Sequence, residues 1–222
     1  MRPCPPSEFV RRWPGALRPI VFPDPPPALP DDDVHCLREY GLPRELTIHC
    51  HNDITLTFSG SLTPLAEVWD RDSKLGHQMG DMPDAWRRFW HLADQEYCQG
   101  GGWVCIEEET ARLVVIDLDQ SGPIYVLNGN MGDFYTTLAH FLDWSEKSDG
   151  SPAETAILRD ALLSQDCISP DDLEDFWMNF IWAALDGDPI ELAVRMGSQS
   201  SVPVRPEILE LIQLGRLPER EL

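Results

Sequence analysis

Basic residues are scarce in this chain: 17 Lys plus Arg stand against 38 Asp plus Glu, leaving a formal net charge of -21 over 222 residues. A field of that sign repels phosphate backbones and anionic lipid, which argues against nucleic acid and membrane surfaces as direct ligands. A basic protein is attracted instead, and long-range attraction raises the rate of encounter more than final affinity. The same acidity also keeps a chain soluble with no partner at all. Long apolar runs are missing too, for no stretch approaches the roughly 20 residues needed to cross a bilayer. The opening Met1-Arg2-Pro3-Cys4-Pro5-Pro6 lacks the apolar core of a secretory signal, so a cytoplasmic location is expected. Six cysteines (Cys4, Cys36, Cys50, Cys98, Cys105 and Cys167) show no CxxC pairing and read as free thiols, mostly buried.

Catalytic signatures are absent as well. There is no G-x-S-x-G nucleophile elbow, and Gly100-Gly101-Gly102 is not followed by the helix or the Lys and Ser/Thr of a phosphate cradle. Those glycines read as a flexible turn. The triplet His49-Cys50-His51, near Asp53, is the one metal-like constellation. On a strand only the two imidazoles share a face, whereas zinc takes three or four ligands, so a solvated strand face is the simpler reading. The chain is therefore expected to be no enzyme and to carry no metal; a metal-dependent hydrolase is the third-ranked alternative.

What is present is ample apolar material: 42 % of residues are hydrophobic and eight are Trp, enough for a folded core. Ten of the 20 prolines fall in the first thirty residues, which predicts an extended arm over 1–30. Asp31, Asp32 and Asp33 suit the positive end of a short helix that runs to Tyr40 and stops at Gly41. Leu46–His51 and Ile54–Phe58 alternate as a hairpin around Asn52-Asp53. Leu65, Val68 and Trp69 suggest a short helical turn, while Trp86, Phe89, Trp90 and Leu92 leave helix and strand both open. Trp103–Ile106, Leu113–Leu118 and Ile124–Leu127 form an antiparallel meander turning at Glu107-Glu108-Glu109-Thr110 and Asp119–Pro123. The period then changes. Phe134, Leu138, Phe141, Leu142 and Trp144 mark one face of a helix, and Leu173, Phe176, Trp177, Phe180, Ile181 and Ala184 mark another that begins at Ser169-Pro170. Asp188–Val194 and Arg205–Ile212 read as further helices.

The fold class is thus α+β, with a central antiparallel sheet of about five or six strands flanked by helices and extra C-terminal helices. The expected organisation is an arm over 1–30, one domain over 31–186, and a helical appendage over 187–222 packed on it.

Three pieces stand in order: Leu37-Arg38-Glu39-Tyr40-Gly41-Leu42-Pro43, then Val115-Ile116-Asp117-Leu118-Asp119 with Ile124-Tyr125-Val126-Leu127-Asn128, then Phe134–Leu142. This order resembles the SUKH superfamily, most closely its fourth group of immunity proteins and more distantly the Smi/Knr-type regulators. The resemblance spans roughly residues 33 to 185. It implies an antiparallel α+β fold, no cofactor, and binding to a cognate toxin domain; the alternative is a scaffold or regulator that recognises a host protein.

Under that reading the partner is a basic toxin, such as a nuclease, and the candidate contacts are Asp31, Asp32, Asp33, Glu107, Glu108, Glu109, Asp117 and Asp119, carboxylates on turns and sheet edges that suit Arg and Lys. The plain alternative is a set of solvated charges and a helix cap. Whether the protein is a monomer or a homodimer stays open.

Overall fold

The computed structural model describes residues 6–13, 15–49, 54–71, 81–97, 100–118, 124–147, 152–163, 177 and 191–193. Its elements run in chain order: α1 (Pro6–Arg12), α2 (Asp31–His35), a π-type turn (Cys36–Tyr40), β1 (Glu45–His49), β2 (Ile54–Pro64), α3 (Leu65–Arg71), a 3-10 helix (Asp84–Arg88), β3 (Phe89–Tyr97), β4 (Gly100–Glu107), β5 (Leu113–Asp117), β6 (Ile124–Asn128), α4 (Met131–Lys147), α5 (Pro152–Leu163) and β7 (Glu191–Ala193). The strands form one antiparallel sheet in the order β6-β5-β4-β3-β2-β1-β7. The α+β class and the central sheet are as expected from the sequence: six strands form a continuous meander, and three residues of β7 add to its β1 edge.

Strand alternation sends the two sets of side chains to opposite faces. Leu46, Ile48, Leu56, Phe58, Val104, Ile106, Leu113, Val115 and Leu127 join the larger core, beneath helices that contribute Phe9, Phe134, Tyr135, Leu138, Phe141, Leu158 and Leu162. Trp103, Cys105, Val114 and Ile116 point the other way, into a smaller cluster with Leu65, Trp69, Trp86 and Phe89. There Trp69 lies edge-on to both Trp86 and Trp103 at 5.7 and 6.1 Å. Residues 84–92, open between helix and strand in the sequence, are both: the 3-10 turn seats Trp86, and β3 follows.

α4 begins with a reciprocal cap. The Asp133 N–H donates to Asn130 Oδ1, and Asn130 Nδ2 donates to Asp133 Oδ2, each at 2.8 Å. Of the helix expected from Ser169, only Trp177 lies within the described residues. It is helical and buried, packs its ring tilted against Phe141 at 5.2 Å, and gives its indole N–H to the Leu127 carbonyl at 2.9 Å.

Three expectations need correction, and one helix is new. Residues 6–12 are a helix instead of extended chain, because Pro6 occupies its first turn, where proline costs nothing. Phe9 is fully buried against Tyr135, and Arg12 pairs with Asp143 of α4. Gly100–Gly102 open strand β4 instead of forming a turn. A Cβ at Gly102 would sit 2.6 Å from the Ile116 carbonyl oxygen, so the absence of a side chain there allows close strand approach. Glu191–Ala193 pair with Thr47–His49 as strand, not helix; an open β1 edge satisfies its backbone groups by recruiting this segment. Pro152–Leu163, unassigned in the sequence reading, is helix α5, burying Thr155, Leu158 and Leu162. The helix expected at Arg205–Ile212 lies outside the described residues.

The remainder of the arm is extended and stitched to the domain by its backbone. Arg18 and Leu42 exchange N–H···O bonds of 2.8 and 2.9 Å, Ile20 N–H donates to Leu37 O at 2.9 Å, and Val21 pairs with Gly60 and Leu62. Gly41 lies under this crossing with φ 73°, and a Cβ there would meet the Arg18 carbonyl carbon and oxygen at 2.2 Å. The Tyr135 hydroxyl donates to the Gly41 carbonyl and also reaches Cys36 O at 3.4 Å, tying α4 to the same turn.

Gly60 has a similar φ of 78° but open space around its Cβ position. Gly60→Ala should therefore cost about 1 kcal/mol, the left-handed backbone term alone. Gly41→Ala should cost about 3 kcal/mol or more, since the clash adds to the same term. Urea unfolding of the two variants checks this; equal losses would contradict it.

Candidate partner-binding surface

The two acidic runs, about 75 residues apart in sequence, converge at one end of the molecule. Ala28 N–H donates to Glu108 Oε1 at 3.2 Å, which brings the end of the arm to the β4–β5 turn. The register Leu113↔Asn128 places the start of α4 beside that turn, and there the Met131 N–H donates to Asp33 Oδ1 at 2.7 Å. Asp31, Asp32 and Glu109 are exposed at this end, and Glu108 is half-buried.

Asp33 and Glu107 have other work, and as surface contacts they are corrected. Asp33 is buried and caps the first turn of α4, where an anionic acceptor meets unsatisfied N–H groups. Burial pushes its carboxyl above the ordinary value and the charges of Asp32 and Asp133 add to that, while the Met131 hydrogen bond opposes it. Glu107 turns inward because the β4–β5 turn closes tightly. Ala111 takes a positive φ of 55°, its N–H reaching Glu107 O at 2.9 Å. The Glu107 carboxylate then receives Arg88 Nε at 2.8 Å and the Thr110 hydroxyl. Asp117 is buried too, at the opposite end of β5, next to Gly102 in the register. Asp119 lies outside the described residues.

Cys50 and His51 lie outside them as well, and only the backbone of His49 is described. Among the described residues no group of three or more His, Cys, Asp or Glu is placed to hold a metal. Two thiols are described, Cys36 and Cys105, both buried; burial pushes Cys36 up to about 11 and Cys105 higher still. Neither is a thiolate nucleophile at neutral pH. No helix among the described residues is long and apolar enough to cross a membrane.

A second polar surface was not singled out in the sequence. On the sheet face opposite the larger core, the cross-strand row Glu45–Thr57–Asp94 leads to Trp103, and the row Thr47–Thr55–Glu96 runs beside it. Asp94 and Glu96 are exposed, and Glu45, Thr55 and Thr57 are half-exposed. His91, buried and edge-on to Trp103, donates Nε2–H to Asp94 Oδ1 at 3.0 Å, because an ionised carboxylate only accepts. The Thr47 and Thr55 hydroxyls share a hydrogen bond of 3.1 Å. The readable signal was compositional: β1, β2 and β3 contain no Lys or Arg.

A curved antiparallel sheet with helices on the larger core, a glycine-leucine-proline turn after a short helix, and described carboxylates gathered on surfaces with no metal geometry are features expected of one group of binding proteins. The sequence profile described as SUKH-4 immunity protein matches residues 8–183. The chain belongs to the SUKH-4 immunity protein family. That match begins inside α1, in keeping with an arm that contributes Phe9, Trp13 and Ile20 to the core. Proteins of such a family act by immunity and in general are not enzymes. No curated protein and no solved structure matches the chain.

Asp33 gives a test of the cap. Asp33→Ala leaves the buried Met131 N–H without its acceptor and should cost about 2 kcal/mol. Asp33→Asn keeps an acceptor without the buried charge. The raised carboxyl binds a proton in the folded state at a pH where the unfolded chain, with its value near 3.8, does not. Stability of the wild type relative to Asp33→Asn should therefore rise as pH falls from neutral towards that value. Urea midpoints at several pH values check the sign; a difference independent of pH would contradict it.

Proposed function

We propose that this chain neutralises one cognate bacterial toxin domain by binding it in the cytoplasm, without making or breaking a bond. The observation that carries the reading is the family match over 176 of 222 residues, counted from 8 to 183. The net charge of -21 supports a basic partner, and nuclease toxins are basic because they bind phosphate. The exposed acids at the arm end, Asp31, Asp32 and Glu109, with the half-buried Glu108, add to the field that steers such a partner in.

Inhibition then comes from occupying the toxin's active site or holding it in an inactive shape. Asp33, Glu107 and Asp117, being buried, support the surface without touching the partner.

Co-expression with the toxin domain encoded beside this chain's gene should restore growth to cells that the toxin alone kills. No protection, or a neighbour that is no toxin, overturns the reading. For the steering part, the double variant Glu108→Lys with Glu109→Lys should slow association by about threefold to tenfold at low salt, with the gap closing as salt rises. Stopped-flow mixing at several ionic strengths measures it, and equal rates throughout would remove charge steering from the account.

A further inference from the structure

We infer that the toxin docks on the open sheet face built by Thr55, Thr57, Asp94 and Glu96, and that the contacting surface of the toxin carries arginine. This deepens the toxin-binding reading above and rests on it. Three observations lead here. The smaller aromatic cluster covers this face over Phe89, Trp103 and Cys105, but towards β1 it gives way to Glu45, Thr55, Thr57, Asp94 and Glu96, which remain exposed or half-exposed. The strands beneath, β1 to β3, carry no Lys or Arg, so none of their side chains is a permanent cation against Asp94 or Glu96, and Asp94 meets the His91 imidazole instead. The acceptors are also held in place before any partner arrives.

That third point decides between this face and the arm end. Binding energy is lost whenever mobile side chains must be ordered on contact. Exposed acids such as Glu109 stand on a turn and would have to be ordered. Asp94 stands on a central strand, with one oxygen fixed by a buried imidazole that is itself packed against Trp103. Thr55 is β-branched and tied to Thr47 across the pair. A fixed carboxylate near the tied Thr55 hydroxyl on this sheet face suits a planar guanidinium, which binds carboxylate through paired N–H groups. The arm-end acids contribute to the long-range field, whereas this face supplies the contact.

The experiment is a titration of the toxin domain encoded beside the gene with three forms of the full chain. Thr57→Arg places a cation and bulk at the centre of the face and should weaken binding by about 100-fold or more. Asp94→Asn with Glu96→Gln keeps size and the His91 contact, and should weaken binding by about tenfold while reducing its salt dependence. Glu108→Gln with Glu109→Gln should change the equilibrium constant by less than about threefold. Amide exchange in the wild-type complex should show protection at 54–57 and 93–96, a readout that needs no variant to fold. Wild-type binding with both face variants within threefold of it, or protection confined to the arm end, overturns the inference and leaves the toxin-binding reading intact. Absence of wild-type binding overturns both. A wild-type dimer in sedimentation that Thr57→Arg converts to monomer would assign the face to a second copy, and the inference would again be wrong.

Discussion

The chain can carry its arm across the turn after the π-type helix only where residue 41 has no side chain. Gly41 adopts a left-handed backbone, and the space where its Cβ would stand is filled by the carbonyl of Arg18. The arm, the turn and α4 meet at this point. The arm pairs with Leu42, Ile20 drops into the core, and Tyr135 of α4 donates to the Gly41 carbonyl. On one side of the crossing, α1 closes the core with Phe9 and Trp13; on the other, the arm meets the irregular stretch of β2 at Gly60 and Leu62. The glycine-leucine-proline turn therefore has a packing reason: glycine for the crossing, a fully buried leucine, and a buried proline leading into β1.

A sheet closed in this way on its larger core leaves a surface determined by strand register. That is what a protein working by contact needs, because each side chain already fixed on the sheet is one fewer to order at the interface. Charge and shape then divide the task. The excess of carboxylates over the whole chain acts at long range, and the residues held by buried partners act at contact. Of the eight acids singled out in the sequence, three proved structural, because each sits where backbone or arginine groups needed an acceptor or where the fold enclosed it.

How much was readable follows from the same physics. β4 and β5 were legible because their β-branched runs are buried on both faces, β6 because its run is β-branched and aromatic, and α4 because Phe134, Leu138, Phe141 and Leu142 repeat at helical spacing. α5 was not legible. Its buried stripe is Thr155, Leu158 and Leu162, while Ile157 on the same helix is exposed, so the pattern is weak. α1 hid among prolines, one of which begins it, and Gly100–Gly102 gave a turn signal although they open strand β4. On the surface, nothing local separates Asp33 from Asp31 or Glu107 from Glu109. One member of each run is taken inward by a partner distant in the chain: Asp33 by the start of α4, and Glu107, at its own tight turn, by Arg88. Asp94 and Thr57 could be grouped only once the register of three strands was known.

The claim that the arm crossing is part of the global fold, and not a strap laid over it, is tested most directly by native-state amide exchange. The N–H groups of Arg18, Ile20, Leu42 and Leu62 should exchange only through global unfolding, with the same opening free energy as amides in the middle of β4. Exchange at those four positions orders of magnitude faster than in β4, with β4 still protected, would contradict it.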